Sequence, residues 1–273
     1  MSKHNLLGVE VDALTMNQAV DQIAKIAENP KRPAVYVVKP YVEFIDAAFK
    51  QPATAKLLNE AELCLADGTA LAWGTHYLYA GRHNLVRLFG TLTKIVLFPD
   101  GILQPLPEIF RGVDFSQKLI ARCTRDGLKV FLIGSPKRSS ISETAKFLKQ
   151  THPKLKIVGH FTGELNPELE LELIQTLKTA TPDVILVGMG FPRQERLMSQ
   201  LRGELKHGVL VGEGGTFDYL EFGGRIRRAP NWIRSIGLEW LWRLGREPFR
   251  FWRQLAIPRF IYYVYLAGRR SSS

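Results

Sequence analysis

Three short stretches and one pair of charged residues can do chemistry. The first is LADGTALAWG, residues 65–74, in which an apolar run that reads as a buried strand ends on Asp67 with Gly68 behind it. A carboxylate delivered to the end of a strand, beside a residue with no side chain, can act as a general base with room for a substrate to come close. It can equally cap the helix that starts near Thr69, because Asp is among the better N-cap residues. The second stretch is VGMGFPRQER, residues 187–196, where a strand gives way to glycines and then to a helix opening at Pro192. The backbone N–H groups of such a loop and the positive end of its helix suit a phosphate, and Gly190, Gln194 and Glu195 sit there. It is not the dinucleotide fingerprint, since Arg193 fills the third glycine position and no acidic ribose partner follows.

The third stretch is VGEGGTFDYLEFGGRIRRAP, residues 211–230. Gly214 lets the backbone approach a ligand, and Asp218 can contact a ribose or base, or simply cap a turn. FRGVDF adds Arg111 near Asp114, so that Arg111 can pair with a phosphate or with that aspartate. No Ser-His-Asp order, HExxH, Walker A or Asp-x-Asp motif occurs, and none of the 6 histidines pairs with another at metal-ligand spacing. Chemistry without a metal or cofactor is the expectation.

A frame must bring these residues together. Strand-like segments at 6–14, 34–39, 62–67, 129–134, 156–161, 183–190 and 208–215 alternate with helical stretches. That alternation predicts an α/β fold, a Rossmann-like parallel sheet with flanking helices, whose strands all point their carboxyl ends at one rim. Ligands of open α/β sheets bind at that rim, and all three stretches fall on it. Thr15 and Gln18 form a capping box for a helix through Ala27, and a second helix is expected over 42–60.

At 273 residues and 45% hydrophobic, the chain can bury a sizeable core and carry an appendage. The division expected is a core over 1–224 and a C-terminal helical appendage over 225–273. Lys plus Arg is 37 against 26 for Asp plus Glu, a formal net charge of +11, which favours an anionic partner. Cys64 and Cys123 lie in apolar surroundings without CxxC spacing, so neither a disulfide nor a zinc site is expected and a reduced, cytoplasmic setting fits. No signal peptide or spanning helix is read.

From Arg225 to Arg270 there are 11 arginines against 2 glutamates, interleaved with Trp, Phe and Tyr. A basic helix with aromatic belts predicts a peripheral anchor on an anionic membrane surface. Without RNP, KH or helix-turn-helix patterns, nucleic acid is not an expected partner. Residues 82–104, which mix Arg and Lys with bulky apolar residues at nearly helical spacing, are expected to form a second membrane-facing element beside the tail. An exposed apolar tail also predicts self-association into a homo-oligomer.

Taken in order, ADG, RGVDF, FLIGS, HPKLKIVGHFTGEL, GMGFPRQE, GEGGTFD and RRAPNWIRSIGLEWLWRLGREP resemble the WecG/TagA/CpsF family of bacterial glycosyltransferases, glycosyltransferase family 26, over about residues 6–260. The resemblance implies inverting transfer of a hexose-type sugar from a UDP-sugar to a polyprenyl-diphosphate-linked sugar. The setting implied is the inner face of the cell membrane, in cell-surface or extracellular polysaccharide biosynthesis. It makes Asp67 the general base, with Gly68 leaving room for the acceptor. Arg111 becomes a diphosphate contact, and Gln194 and Asp218 lie near the nucleotide. The tail brings arginines over the site, and Arg225, Arg228, Arg243 and Arg246 are the candidates to meet the departing UDP, with the one that reaches it left open. Where many relatives read Thr-x-Asn-x-Glu, this chain has Lys39, Tyr41 and Glu43, which places Lys39 and Tyr41 near the donor sugar and leaves its identity open. Glu213 likewise stands where the family commonly has an apolar residue, and the resemblance implies that the 82–104 stretch is an insertion. Two other readings remain: a membrane-peripheral scaffold with the same fold and no catalysis, and a nucleotide-dependent oxidoreductase.

Overall fold

The computed structural model describes residues 2–79, 81, 83–97, 101, 104–136, 140–164, 166–235, 239–246 and 251–271. Six parallel strands form its central sheet: β3 (Val35–Val38), β4 (Leu63–Cys64), β5 (Lys129–Gly134), β6 (Lys156–Thr162), β7 (Val184–Gly188) and β8 (Val209–Gly212), in the order β4-β3-β8-β7-β5-β6. Strands buried on both faces need apolar side chains at every position, which is why VYVV, VILVG and VLVG read as continuous rather than alternating runs. β6 is an edge strand, and its burial alternates residue by residue.

One expected strand is two. Residues 6–14 do not join the sheet: β1 (Lys3–Leu6) and β2 (Val9–Asp12) form a separate antiparallel hairpin. Leu7 and Gly8, both at positive φ, make its turn. The helix expected over 42–60 is likewise broken, into α2 (Val42–Lys50) and α3 (Pro52–Asn59), because a proline cannot continue the hydrogen-bond ladder of α2. The helix α1 (Met16–Ala27) carries the predicted capping box at Thr15 and Gln18.

The helices cover both faces of the sheet. α1, α6 (Gly112–Asp126) and α7 (Ile141–Thr151) bury their apolar stripes with Val37, Val130, Leu132, Val184 and Leu186 on one face. On the other, α2, α3, α4 (Thr69–Tyr79), α8 (Pro167–Ala180) and α9 (Arg193–Glu204) bury theirs with Tyr36, Val38, Ile133, Ile185 and Val187. The helix α5 (Leu85–Leu97) lies against α4, and the Trp73 Nε1–H donates to Thr91 Oγ1 at 3.0 Å between them.

The C-terminal region is helical: α10 (Asn231–Ser235), α11 (Glu239–Arg246), α12 (Phe251–Gln254) and α13 (Ala256–Ser271). The last of these is more than an anchor lying on the surface. Ala256, Phe260 and Val264, at a spacing of four, are buried in the same cluster as α2 and α4. Phe260 fits against Gly74 and sets its ring edge-on to Trp73 at 6.3 Å. Among the described residues, no helix is long and apolar enough to cross a membrane.

Candidate active site

The strand register explains the floor of the site. β3 and β8 are neighbours with Val35 opposite Val209 and Val37 opposite Val211, so the same offset carried two residues further puts Lys39 opposite Glu213. Their side chains meet: Lys39 Nζ donates to Glu213 Oε2 at 2.7 Å and to Ser116 Oγ at 2.9 Å, with side-chain exposures of 4% and 0% for the lysine and glutamate. The ammonium also lies over the Phe115 ring at 5.1 Å. Two residues 174 positions apart in sequence thus form one buried, electrically neutral unit.

That unit connects to Asp67. The Ser116 hydroxyl has two acceptors in reach, Glu213 Oε2 and the Gly112 carbonyl, and one proton to give. The Gly112 N–H in turn donates to Asp67 Oδ1 at 3.0 Å. Any side chain at residue 112 would put a Cβ 2.8 Å from Asp67 Oδ2, so this close approach requires glycine. Asp67 therefore does serve a helix end, but that of α6 rather than the α4 expected from sequence. Its backbone N–H is held by the Pro40 carbonyl at 2.8 Å, and the turn into α4 places Gly68 at φ +90°, which a larger residue would adopt only with strain.

The Asp67 carboxyl is enclosed by protein on all sides but the cleft, and this desolvation pushes its pKa up to about 6. Lys39 and the Gly112 N–H pull it down, while Glu239 and Glu213 push it further up. At neutral pH such a group is mostly ionised, yet it holds a proton better than an ordinary carboxylate, the compromise that suits a general base.

The cleft has a volume of about 300 Å³. Of the sequence-predicted residues it brings together Lys39, Tyr41, Asp67, Gly68, Arg111, Gly190, Gln194, Gly214 and Arg228. Arg111 stands at the head of α6 and has no ion-pair partner among the described residues; Asp114 pairs instead with Arg228 at 2.5 Å and Arg234 at 3.7 Å. Gln194 is a bracket between the two glycine loops, its Oε1 accepting from Gly190 N at 3.2 Å and Gly214 N at 2.9 Å. Its Nε2 donates backwards to Glu195 Oε1 at 2.7 Å.

Glu195 lies behind Gln194 rather than on the cleft wall, and burial pushes its pKa up to about 7. Asp218, in a short 3-10 turn at Thr216–Asp218, is buried away from the cleft lining. Arg225 and Arg246 are exposed outside it, Arg246 lying over the Trp242 ring at 5.1 Å. The side chain of Arg243 lies outside the described residues.

Sequence reasoning missed the outer wall. Glu43, Arg234, Glu239 and Arg253 line the cleft together with the predicted residues. Arg253 bonds Glu43 Oε2 at 2.6 Å, the Tyr41 hydroxyl donates to the same oxygen at 2.7 Å, and the guanidinium covers the Tyr41 ring at 5.3 Å. Burial lowers the pKa of Arg253. Below it Arg259 grips Asp46 with two bonds of 2.9 and 3.0 Å. Burial alone would raise Asp46, but the bonds from Arg259 and Lys50 outweigh it and hold the carboxyl below its usual range. Arg234 Nε is buried and has no hydrogen-bond partner among the described residues, while the rest of its guanidinium engages Asp114 and Asn231. Among the described residues no three His, Cys, Asp or Glu side chains converge in a way that could hold a metal ion.

A parallel sheet with a buried carboxylate, two glycine loops and four arginines lining a cleft at its carboxyl rim defines an α/β protein with its candidate site where open sheets of this kind bind ligands. The chain belongs to the glycosyl transferase WecG/TagA/CpsF family, whose model matches residues 4–96 and 94–273. It is 28% identical over 270 residues to a protein of Staphylococcus aureus (strain MW2) named N-acetylglucosaminyldiphosphoundecaprenol N-acetyl-beta-D-mannosaminyltransferase, covering 98% of this chain and 94% of the relative. Proteins of the same name from strains NCTC 8325 / PS 47 and MRSA252 are 28% and 27% identical over the same coverage.

Proposed function

We propose that this protein is an inverting glycosyltransferase that moves a hexose-type sugar from a UDP-sugar to a lipid-diphosphate-linked sugar, without a metal, on the inner face of the cell membrane, for a surface or extracellular polysaccharide. The observation that carries the reading is Asp67, poised near pKa 6 in a cleft that Arg111 lines without an ion-pair partner among the described residues. Asp67 takes the proton from the acceptor hydroxyl as that oxygen attacks the anomeric carbon. The bond from that carbon to the UDP oxygen breaks as the new one forms, and the electron pair leaves with UDP. Arg111 and the Arg234 guanidinium, both on the cleft lining, meet the developing diphosphate charge, a role that fixed cationic donors fill without reorganising. Lys39 and Tyr41 face the donor sugar, and the activity in the name of the staphylococcal relatives makes N-acetylmannosamine the first sugar to test. The C-terminal helices, rich in arginine and with Phe251, Trp252 and Tyr262 exposed, hold the enzyme on an anionic bilayer where its acceptor resides.

The pairing of Lys39 with Glu213 weighs against a decayed scaffold, since each departure from the family pattern neutralises the other. The test is UDP release over a panel of UDP-sugars with a short-chain prenyl-diphosphate sugar, comparing wild type with Asp67→Asn. Release with one donor that collapses in the variant is expected. Release that survives the substitution removes Asp67 from the chemistry, and no release with any donor returns the scaffold.

A further inference from the structure

Helix α5 is apolar on two sides at once. Its inner side packs on α4, with Leu88 and Thr91 buried. Its outer side carries Leu85, Val86, Phe89 and Leu97, of which Val86 is 84% and Phe89 65% exposed. Positions 86, 89, 93 and 97 fall in one stripe along a helix, and three of the four are apolar. Single exposed apolar residues are ordinary on a protein surface, but a stripe of them on one helix calls for a partner.

Charge identifies the partner's chemistry. From residue 82 to 98 the sequence holds Arg82, Arg87 and Lys94 and no acidic residue. A second copy of the helix laid across the first would bring the exposed Lys94 of both copies together with no carboxylate on either helix to neutralise them. An anionic lipid surface neutralises them and accepts the apolar stripe among its acyl chains. The stripe also continues a neighbouring surface. The His83 ring, just before α5, packs on Gly268 near the end of α13, beside Arg269 and Arg270.

We propose that the outer face of α5 is a second bilayer contact, dipping Val86, Phe89 and Leu97 into an anionic membrane next to the contact made by the C-terminal helices. The inference rests on the membrane-peripheral reading of those helices and adds orientation to it: one contact lets the enzyme swivel, and two restrict how the cleft faces the lipid-borne acceptor.

The full-length protein, its Val86→Glu/Phe89→Glu and milder Val86→Ser/Phe89→Ser variants, and a Leu171→Glu control on exposed α8 are floated with vesicles of phosphatidylcholine alone or mixed with phosphatidylglycerol. Because the substituted side chains are exposed, all variants are expected to melt with wild type. Wild type should bind the anionic vesicles and protect residues 85–97 from hydrogen exchange. The double Glu variant should bind about tenfold or more weakly, the Ser variant less so, and the control like wild type. Wild-type binding that the variants retain, or α5 exchange unchanged by vesicles, overturns the α5 assignment alone. A dimer that the Glu variant splits without loss of vesicle binding gives the face to a second copy and also overturns it. No wild-type binding to any vesicle removes the membrane reading of the tail together with α5, and leaves sugar transfer to be judged by UDP release.

Discussion

The floor and the outer wall of the cleft hold charges in different ways. On the floor, Lys39 and Glu213 sit on adjacent strands, out of water, at a position set by the register of the sheet. On the wall, Arg253 and Arg259 reach from α12 and α13 to Glu43 and Asp46 on α2, and side chains such as that of Arg259 remain 43% exposed. A buried pair is costly to break, because the surviving partner is left charged in a low dielectric. A half-exposed pair contributes little and is screened by salt. The floor is therefore fixed geometry beneath the base, and the wall is a part that the solvent can loosen.

The largest effect expected is at Asp67. Asp67→Asn should lower turnover by about 100- to 10,000-fold, measured by UDP release. The same variant should be more stable than wild type. A carboxyl whose pKa is raised in the folded state stabilises the fold only while protonated, so its contribution is full below about pH 4, falls as pH rises, and is gone above about 6. Thermal unfolding at pH 8 should therefore favour Asp67→Asn by on the order of 1–3 kcal/mol, with the gap closing toward pH 4. Equal stability of the two at pH 8 would mean that Asp67 is not poised.

Next is the floor. Glu213→Ala leaves Lys39 buried and unpaired and should cost about 3–5 kcal/mol in urea unfolding, whereas Lys39→Met/Glu213→Leu together should cost far less. If the single and double variants are equally destabilised, the floor is not an ion pair in energetic terms. The double variant also sharpens the role of the pair. Lys39 lowers the pKa of Asp67 more than Glu213 raises it, so the acid limb of kcat/KM should move above about pH 6. The smallest effects belong to the wall. Arg259→Ala should lower stability by about 1 kcal/mol or less, and high salt should erase the difference, which denaturation at two ionic strengths would read.

Much of the frame was legible in the sequence because strands buried on both faces leave unbroken apolar runs. The hairpin was not, since Leu7 and Gly8 interrupt residues 6–14 too briefly to break the pattern, and pairing direction leaves no local mark. Asp67 could be placed at the rim from the strand that ends on it, whereas Arg111 was read only as a partner for a phosphate or for Asp114. Lys39 and Glu213 were each visible as oddities, but 174 residues separate them and only the strand order makes them partners. Gln194 reads locally as a ligand contact, yet its hydrogen bonds are spent joining two loops. In the tail the excess of arginines suggested that some would reach the site but not which ones. Arg234 and Arg253 line the cleft, and the signal pointing to them was the acidic partner each needs on the core, Asp114 and Glu43.

The seat of Phe260 has a consequence in time. That ring closes over Trp73 and lies beside Leu6, yet it leaves the ribosome about 250 residues after Leu6 does. At the usual pace of synthesis this is an interval of roughly 13–50 s during which the pocket between the hairpin and α4 has no native plug. The nascent chain can assemble its sheet in that interval, but it must carry an open apolar socket throughout, one that a chaperone or the bilayer itself can shield until α13 arrives.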